Sequence, residues 1–110
     1  MAYEEDLADR VREIVRDEPG LTEKRMFGGL AFLLNGHLAV GASGQGGLLL
    51  RVDPALTESL VDEPHVRRME MRGRAMDGWL HIDTAAARTE EALRRWVAQG
   101  VAYTRSLPPR

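Results

Sequence analysis

The run Lys24-Arg25-Met26-Phe27-Gly28-Gly29-Leu30-Ala31-Phe32-Leu33-Leu34-Asn35-Gly36-His37-Leu38-Ala39-Val40-Gly41-Ala42 decides the fold of this chain. Two apolar stretches flank Asn35-Gly36. A type I′ turn needs positive φ at both central residues, and Asn and Gly tolerate that best. The run therefore predicts a β-hairpin. Gly28-Gly29, inside its first arm, predicts a bulge or a point where another backbone comes close.

Downstream, Ser43-Gly44-Gln45-Gly46-Gly47 reads as a second turn and Leu48-Leu49-Leu50-Arg51-Val52 as a third strand. Leu48, Leu50 and Val52 share one face of it, with Leu49 and Arg51 on the other. Asp53 as N-cap and Pro54 at the first helical position open a short helix. Its apolar side is Leu56, Leu60 and Val61, and Pro64 closes the segment. From His65 to Arg74, Met69 and Met71 alternate with Arg68, Glu70 and Arg72, a strand with one face buried and one wet. Met76-Asp77-Gly78 then predicts a turn into a fifth strand, Trp79 to Asp83.

Helices frame these strands. Leu7, Val11, Ile14 and Val15, extended by Ala8, make one apolar helical stripe, ended by Pro19-Gly20. A closing helix begins at Thr89, with Glu90 and Glu91 in its first turn. Ala92, Leu93, Trp96, Val97, Gly100 and Tyr103 or Thr104 lie along its inner side, and Pro108-Pro109 stops it. The order is helix, three strands, helix, two strands, helix. Tight turns pair strands antiparallel, so the fold class is α+β, one antiparallel sheet of about five strands with helices packed on one face. No linker, repeat or low-complexity block divides residues 1–110, which read as a single domain.

Composition narrows the function. Apolar residues make up 44% of the 110, which suits a globular chain and excludes a disordered one. No apolar run approaches the ~20 residues of a membrane span, and the acidic N-terminus has no signal-peptide layout. Cysteine is absent, excluding disulfide and thiolate chemistry and favouring a cytoplasmic location. The net charge of −2 is unevenly spread: residues 1–23 hold eight acids and three arginines, and the rest holds twelve bases and nine acids.

Catalytic and metal chemistry find little support. Gly44-Gln45-Gly46-Gly47 precedes a strand rather than a helix N-terminus, so it reads as a hairpin turn and not a phosphate cradle. His37, His65 and His81 lack metal-site spacing, although His81 and Asp83 share a strand face. Ser43, Ser59 and Ser106 stand in no nucleophile context. An enzyme is not expected, nor a cofactor. The best candidate surface is the basic cluster Arg67, Arg68, Arg72 and Arg74, in which Arg68 and Arg72 would share a face able to meet phosphates or partner carboxylates. Trp79 and His81 on the next strand would add stacking surface.

Arg25-Met26-Phe27-Gly28-Gly29-Leu30-Ala31-Phe32, with Gly36 and Leu49-Leu50-Arg51-Val52-Asp53, resembles the N-terminal domain of the TfoX/Sxy family of competence regulators. Arg74-Ala75-Met76-Asp77-Gly78-Trp79-Leu80 and a last helix with Trp96 and Ala102-Tyr103 extend the resemblance over nearly the whole chain. It implies a secretion-chaperone-like α+β fold and a regulatory role. Full-length members co-activate transcription of DNA-uptake genes with the cyclic-AMP receptor protein. This chain ends at Arg110, before the helical C-terminal domain that they carry, so a stand-alone N-terminal domain is expected. In the motif, Arg25, Met26, Phe27, Gly28 and Gly29 read as structural, the glycines admitting close backbone approach and Phe27 packing.

The expectation is a small cytoplasmic regulatory or adaptor domain that binds a protein partner, with the transcription machinery a candidate, through an exposed sheet face or edge. Direct nucleic-acid binding through the arginines is the alternative, and a small-molecule or metal-binding protein a second one. Exposed edges also make a homodimer plausible.

Overall fold

The computed structural model describes residues 3–26 and 28–109. The hairpin forms as the Asn35-Gly36 pair dictates. Strands β2 (Gly29–Leu34) and β3 (His37–Ala42) pair antiparallel, and the two turn residues take φ of 52° and 87°. The first arm differs from expectation, because the apolar run does not continue back into one strand. Met26 pairs directly with Gly29, so residues Leu21–Met26 form a separate strand, β1, folded back on β2. Gly28 takes φ 76°, and an ideal Cβ on Gly29 would lie 2.2 Å from the Ala42 carbonyl oxygen. One glycine thus admits the reversal and the other the close approach. The packing expected of Phe27 lies outside the described residues.

The remaining strands are β4 (Leu48–Arg51), β5 (Val66–Met71) and β6 (Arg74–Ile82). All six join one sheet in the order β1-β2-β3-β4-β6-β5, every neighbouring pair antiparallel. The strand count is thus six, one more than the apolar runs suggest. The last hairpin turns ahead of its expected Met76-Asp77-Gly78 signal. Arg72 (φ 56°) and Gly73 (φ 77°) make the reversal, and Asp77-Gly78 becomes an irregularity inside β6. Arginine rarely enters that backbone region, so only Gly73 marks the turn in the sequence.

Helices α1 (Glu5–Val15) and α3 (Glu90–Arg105) both pack on one face of the sheet, against β3 and each other, and α3 also against β4. Most of each expected stripe is buried, Leu7, Ala8, Val11 and Val15 on α1 and Leu93, Val97, Gly100 and Thr104 on α3, while Ile14, Ala92, Trp96 and Tyr103 are half-buried at the margins. They meet Phe32, Leu34, Val40, Leu48, Leu50, Leu80 and Ile82 in one core. Full burial of each Leu or Val contributes about 1.5–3 kcal/mol relative to exposure. Thr89 caps α3 by accepting from the Ala92 amide, and Asp53 caps the segment Pro54–Leu56 that leads into the single turn α2 (Thr57–Leu60).

Glu4, just ahead of α1, ties three distant segments together. Its carboxylate accepts from the Gly47 amide at 2.8 Å and from the Thr84 hydroxyl. The Thr84 bond, with the Gly47 amide next, holds this carboxyl below its usual value of 4.5. A depressed folded-state pKa contributes stability that is full above the unfolded value and is lost as pH falls through the folded one. Urea titrations from pH 7 to pH 3 are therefore expected to show stability falling in acid, and falling less in Glu4→Gln than in the wild type. Equal slopes would show that this tie carries no linkage.

Candidate interaction face

The face of the sheet opposite α1 and α3 carries the side chains that alternate with the core set. Lys24, Ala31, Gly41, Leu49, His81 and Arg67 are register partners in one row across all six strands. Around this row lie two adjoining depressions. One, of about 90 Å³, is lined by Met26, Ala31, Leu38, Gly41, Leu49 and Met69 among others. The other, of about 190 Å³, is lined by Leu49, Met69, Met71, Met76 and Trp79. Leu49 and Met69 belong to both, so the two form one continuous apolar surface. Met71 is 45% exposed, unusual for a large apolar side chain.

The methionines thus correct a sequence-based expectation. Met69 and Met71 alternate with Arg68 and Glu70 as foreseen, but they line the uncovered side of the sheet rather than the core. Val66 and Leu80 supply the buried side there. Alternation identifies two faces without saying which one the helices cover.

The β5–β6 arm forms one wall of the groove, and a buried bond positions it. At the irregularity of β6, the Gly78 amide donates to Thr57 Oγ1 at 2.7 Å, while Thr57 donates to the Pro54 carbonyl at 2.8 Å. Thr57 is fully buried, and the Gly78 carbonyl accepts from the Val52 amide. Short as it is, α2 therefore locks the bend that carries Met76 and Trp79 into place.

The four arginines of the basic cluster do not converge. Neighbouring residues on a strand point to opposite faces, so Arg67 and Arg68 diverge, and Arg72 lies past the end of β5, in the turn at φ 56°, rather than on the face of Arg68. Arg68 lies towards α2, bonded to Glu58 at 2.6 Å and Asp77 at 2.8 Å; these partners, Glu58 first, raise its pKa. Arg67 reaches Asp83 at 3.4 Å on the open side. Arg72 and Arg74 are exposed at the hairpin turn, without a carboxylate partner among the described residues. Arg51, which was not singled out, is the better placed cation: it stacks on Trp79 at 5.0 Å and Tyr103 at 5.6 Å.

The histidines are likewise apart. His37 Nε2 donates to the Pro108 carbonyl, far from the others. His81, 4% exposed, donates from Nε2 to the Gly46 carbonyl at 2.7 Å and leaves Nδ1 3.7 Å from Asp83. His65 meets the other Asp83 oxygen at 3.3 Å. Among the described residues no three metal-ligating side chains are grouped to hold an ion. Ser43 accepts from the Gln45 amide within its turn, and Ser59 and Ser106 donate to local carbonyls.

The TfoX N-terminal domain family matches residues 13–103. The chain belongs to that family. No curated protein and no solved structure matches it. Of the family motif, Met26 lines the open face, Gly28 and Gly29 make the reversal between β1 and β2, and Arg25 is exposed on the edge strand. No helix of the described chain is long and apolar enough to cross a membrane.

Thr57→Val keeps the shape but leaves the buried Gly78 amide without its acceptor, which is expected to lower unfolding stability by about 1–3 kcal/mol. Urea denaturation measures this. A loss below a few tenths of a kcal/mol would mean that the bond does not set the bend of β6.

Proposed function

We infer that this TfoX N-terminal domain is a small non-enzymatic regulatory adaptor, acting in the cytoplasm by seating a protein partner on its uncovered sheet face. One observation carries the reading. A two-layer α+β domain ordinarily buries the apolar side of its sheet under helices. Here the helix-covered face is apolar, and so is the other, from Met26 across Leu49 to Met71, Met76 and Trp79. An apolar surface kept in water in a chain of this size has the character of an interaction site. Family membership supports the regulatory part, with a component of the transcription machinery as the partner class.

Arg72 and Arg74, exposed at the hairpin turn with no carboxylate partner among the described residues, favour a second reading, direct contact with nucleic acid. It is the weaker one, because Arg67 and Arg68 are engaged with Asp83, Glu58 and Asp77 on different sides of the strand. Two exposed cations are a small electrostatic footprint beside the several phosphate contacts of typical DNA-binding proteins.

A photocrosslinking amino acid placed at Met71, and separately at exposed Glu91 of α3, tests the reading in living cells. A transcription protein crosslinked from position 71 and not from position 91, and lost in a Met76→Glu background, is the expected result. No adduct from position 71, or equal adducts from both, would overturn it.

A further inference from the structure

We propose that the occupant of the open face is a single amphipathic helix of the partner protein, its apolar stripe bordered by aspartates or glutamates. The inference rests on the adaptor reading and adds the partner's chemistry.

The groove argues for the apolar stripe. All five lining residues sit on strands, but the side chains of Met69, Met71 and Met76 are unbranched, flexible and polarizable. Thioether side chains adapt to apolar groups of varied shape, a property of surfaces that receive amphipathic helices. A helix laid on the sheet would supply the missing third layer. Strand addition would instead use the edges β1 and β5, leaving the groove open.

Charge argues for the acidic borders. Glu23 turns to the helix side of the sheet, where it bonds Arg12 of α1 at 2.8 Å, and Glu58 and Asp77 are drawn to Arg68. The open side keeps cations: Lys24 in register with Ala31, Arg51 beside Trp79, and Arg74 in register with Met71. None of these three pairs with a carboxylate among the described residues. Asp83 is taken up by Arg67 and His65, and Glu70, in register with Ala75, alternates away from Met69 and Met71. Cations at a rim select acidic partners and speed their encounter. The acidic α1 of a second copy does not fit, because Leu7, Val11 and Val15 are already buried in its own core.

Three fluorescein-labelled helical peptides test this by anisotropy with the full chain: a leucine stripe bordered by glutamates, the same stripe bordered by lysines, and the glutamate peptide scrambled to remove the stripe. The glutamate-bordered peptide is expected to bind saturably, at least about tenfold tighter than the other two. The exposed substitution Arg74→Glu should erase that preference and improve the lysine-bordered peptide. Preference for lysine borders, equal binding of the scrambled peptide, or no effect of Arg74→Glu would overturn the proposal. So would saturable, salt-steep binding of labelled duplex DNA that is lost in Arg72→Ala/Arg74→Ala. Crosslinking from Met71 without glutamate-peptide binding would reject the acidic helix and leave the adaptor reading standing; absence of both would reject the two together.

Discussion

The architecture depends on how closely α3 can approach the sheet. At Gly100 a Cβ would sit 2.5 Å from the Ala39 carbonyl oxygen and 2.8 Å from a Leu50 methyl, so helix and strand touch there through backbone. That contact seats α3 on β3 and β4, brings Leu93 and Val97 into the core, and gives α1 a neighbour to pack beside. It also determines which face of the sheet is covered. The other face, from Met26 to Trp79, has neither α1 nor α3 over it, and Met71 stands exposed on it.

Much of this was legible locally. The stripe of α1, the Asn35-Gly36 turn, the Asp53 and Thr89 caps and the alternation of Leu48, Leu50 and Val52 are short-range signals, and each element forms as its residues predict. The extra strand escaped because Thr22 to Arg25 are all exposed, so β1 shows no alternating burial to betray it. The β5–β6 turn escaped because Arg72 enters a backbone region that arginine rarely occupies.

The candidate face was legible only in fragments. Leu49 and Arg51 were assigned to the side away from Leu48 and Leu50, correctly, yet nothing local shows that this side stays uncovered. Met69 and Met71 resemble core residues by composition, and only the position of α3 tells otherwise. The basic cluster fails as a unit for a related reason. Consecutive arginines cannot share a strand face, and Arg72 falls in the turn after β5, whose position nothing in β5 alone reveals. Arg51 joins Trp79 through the pairing of β4 with β6, strands separated by α2 and β5 in the chain.

The position of α3 leaves the methionine face open in the free protein. Methyl NMR of protein ¹³C-labelled at its methionine, leucine and valine methyls, with a soluble paramagnetic agent, measures this directly. Strong broadening of the Met69, Met71 and Met76 methyls is expected at all protein concentrations, while the methyls of Leu93 and Val97 stay sharp. Protection of the three methionines equal to that of Leu93 would contradict it, and would mean that the face is already covered.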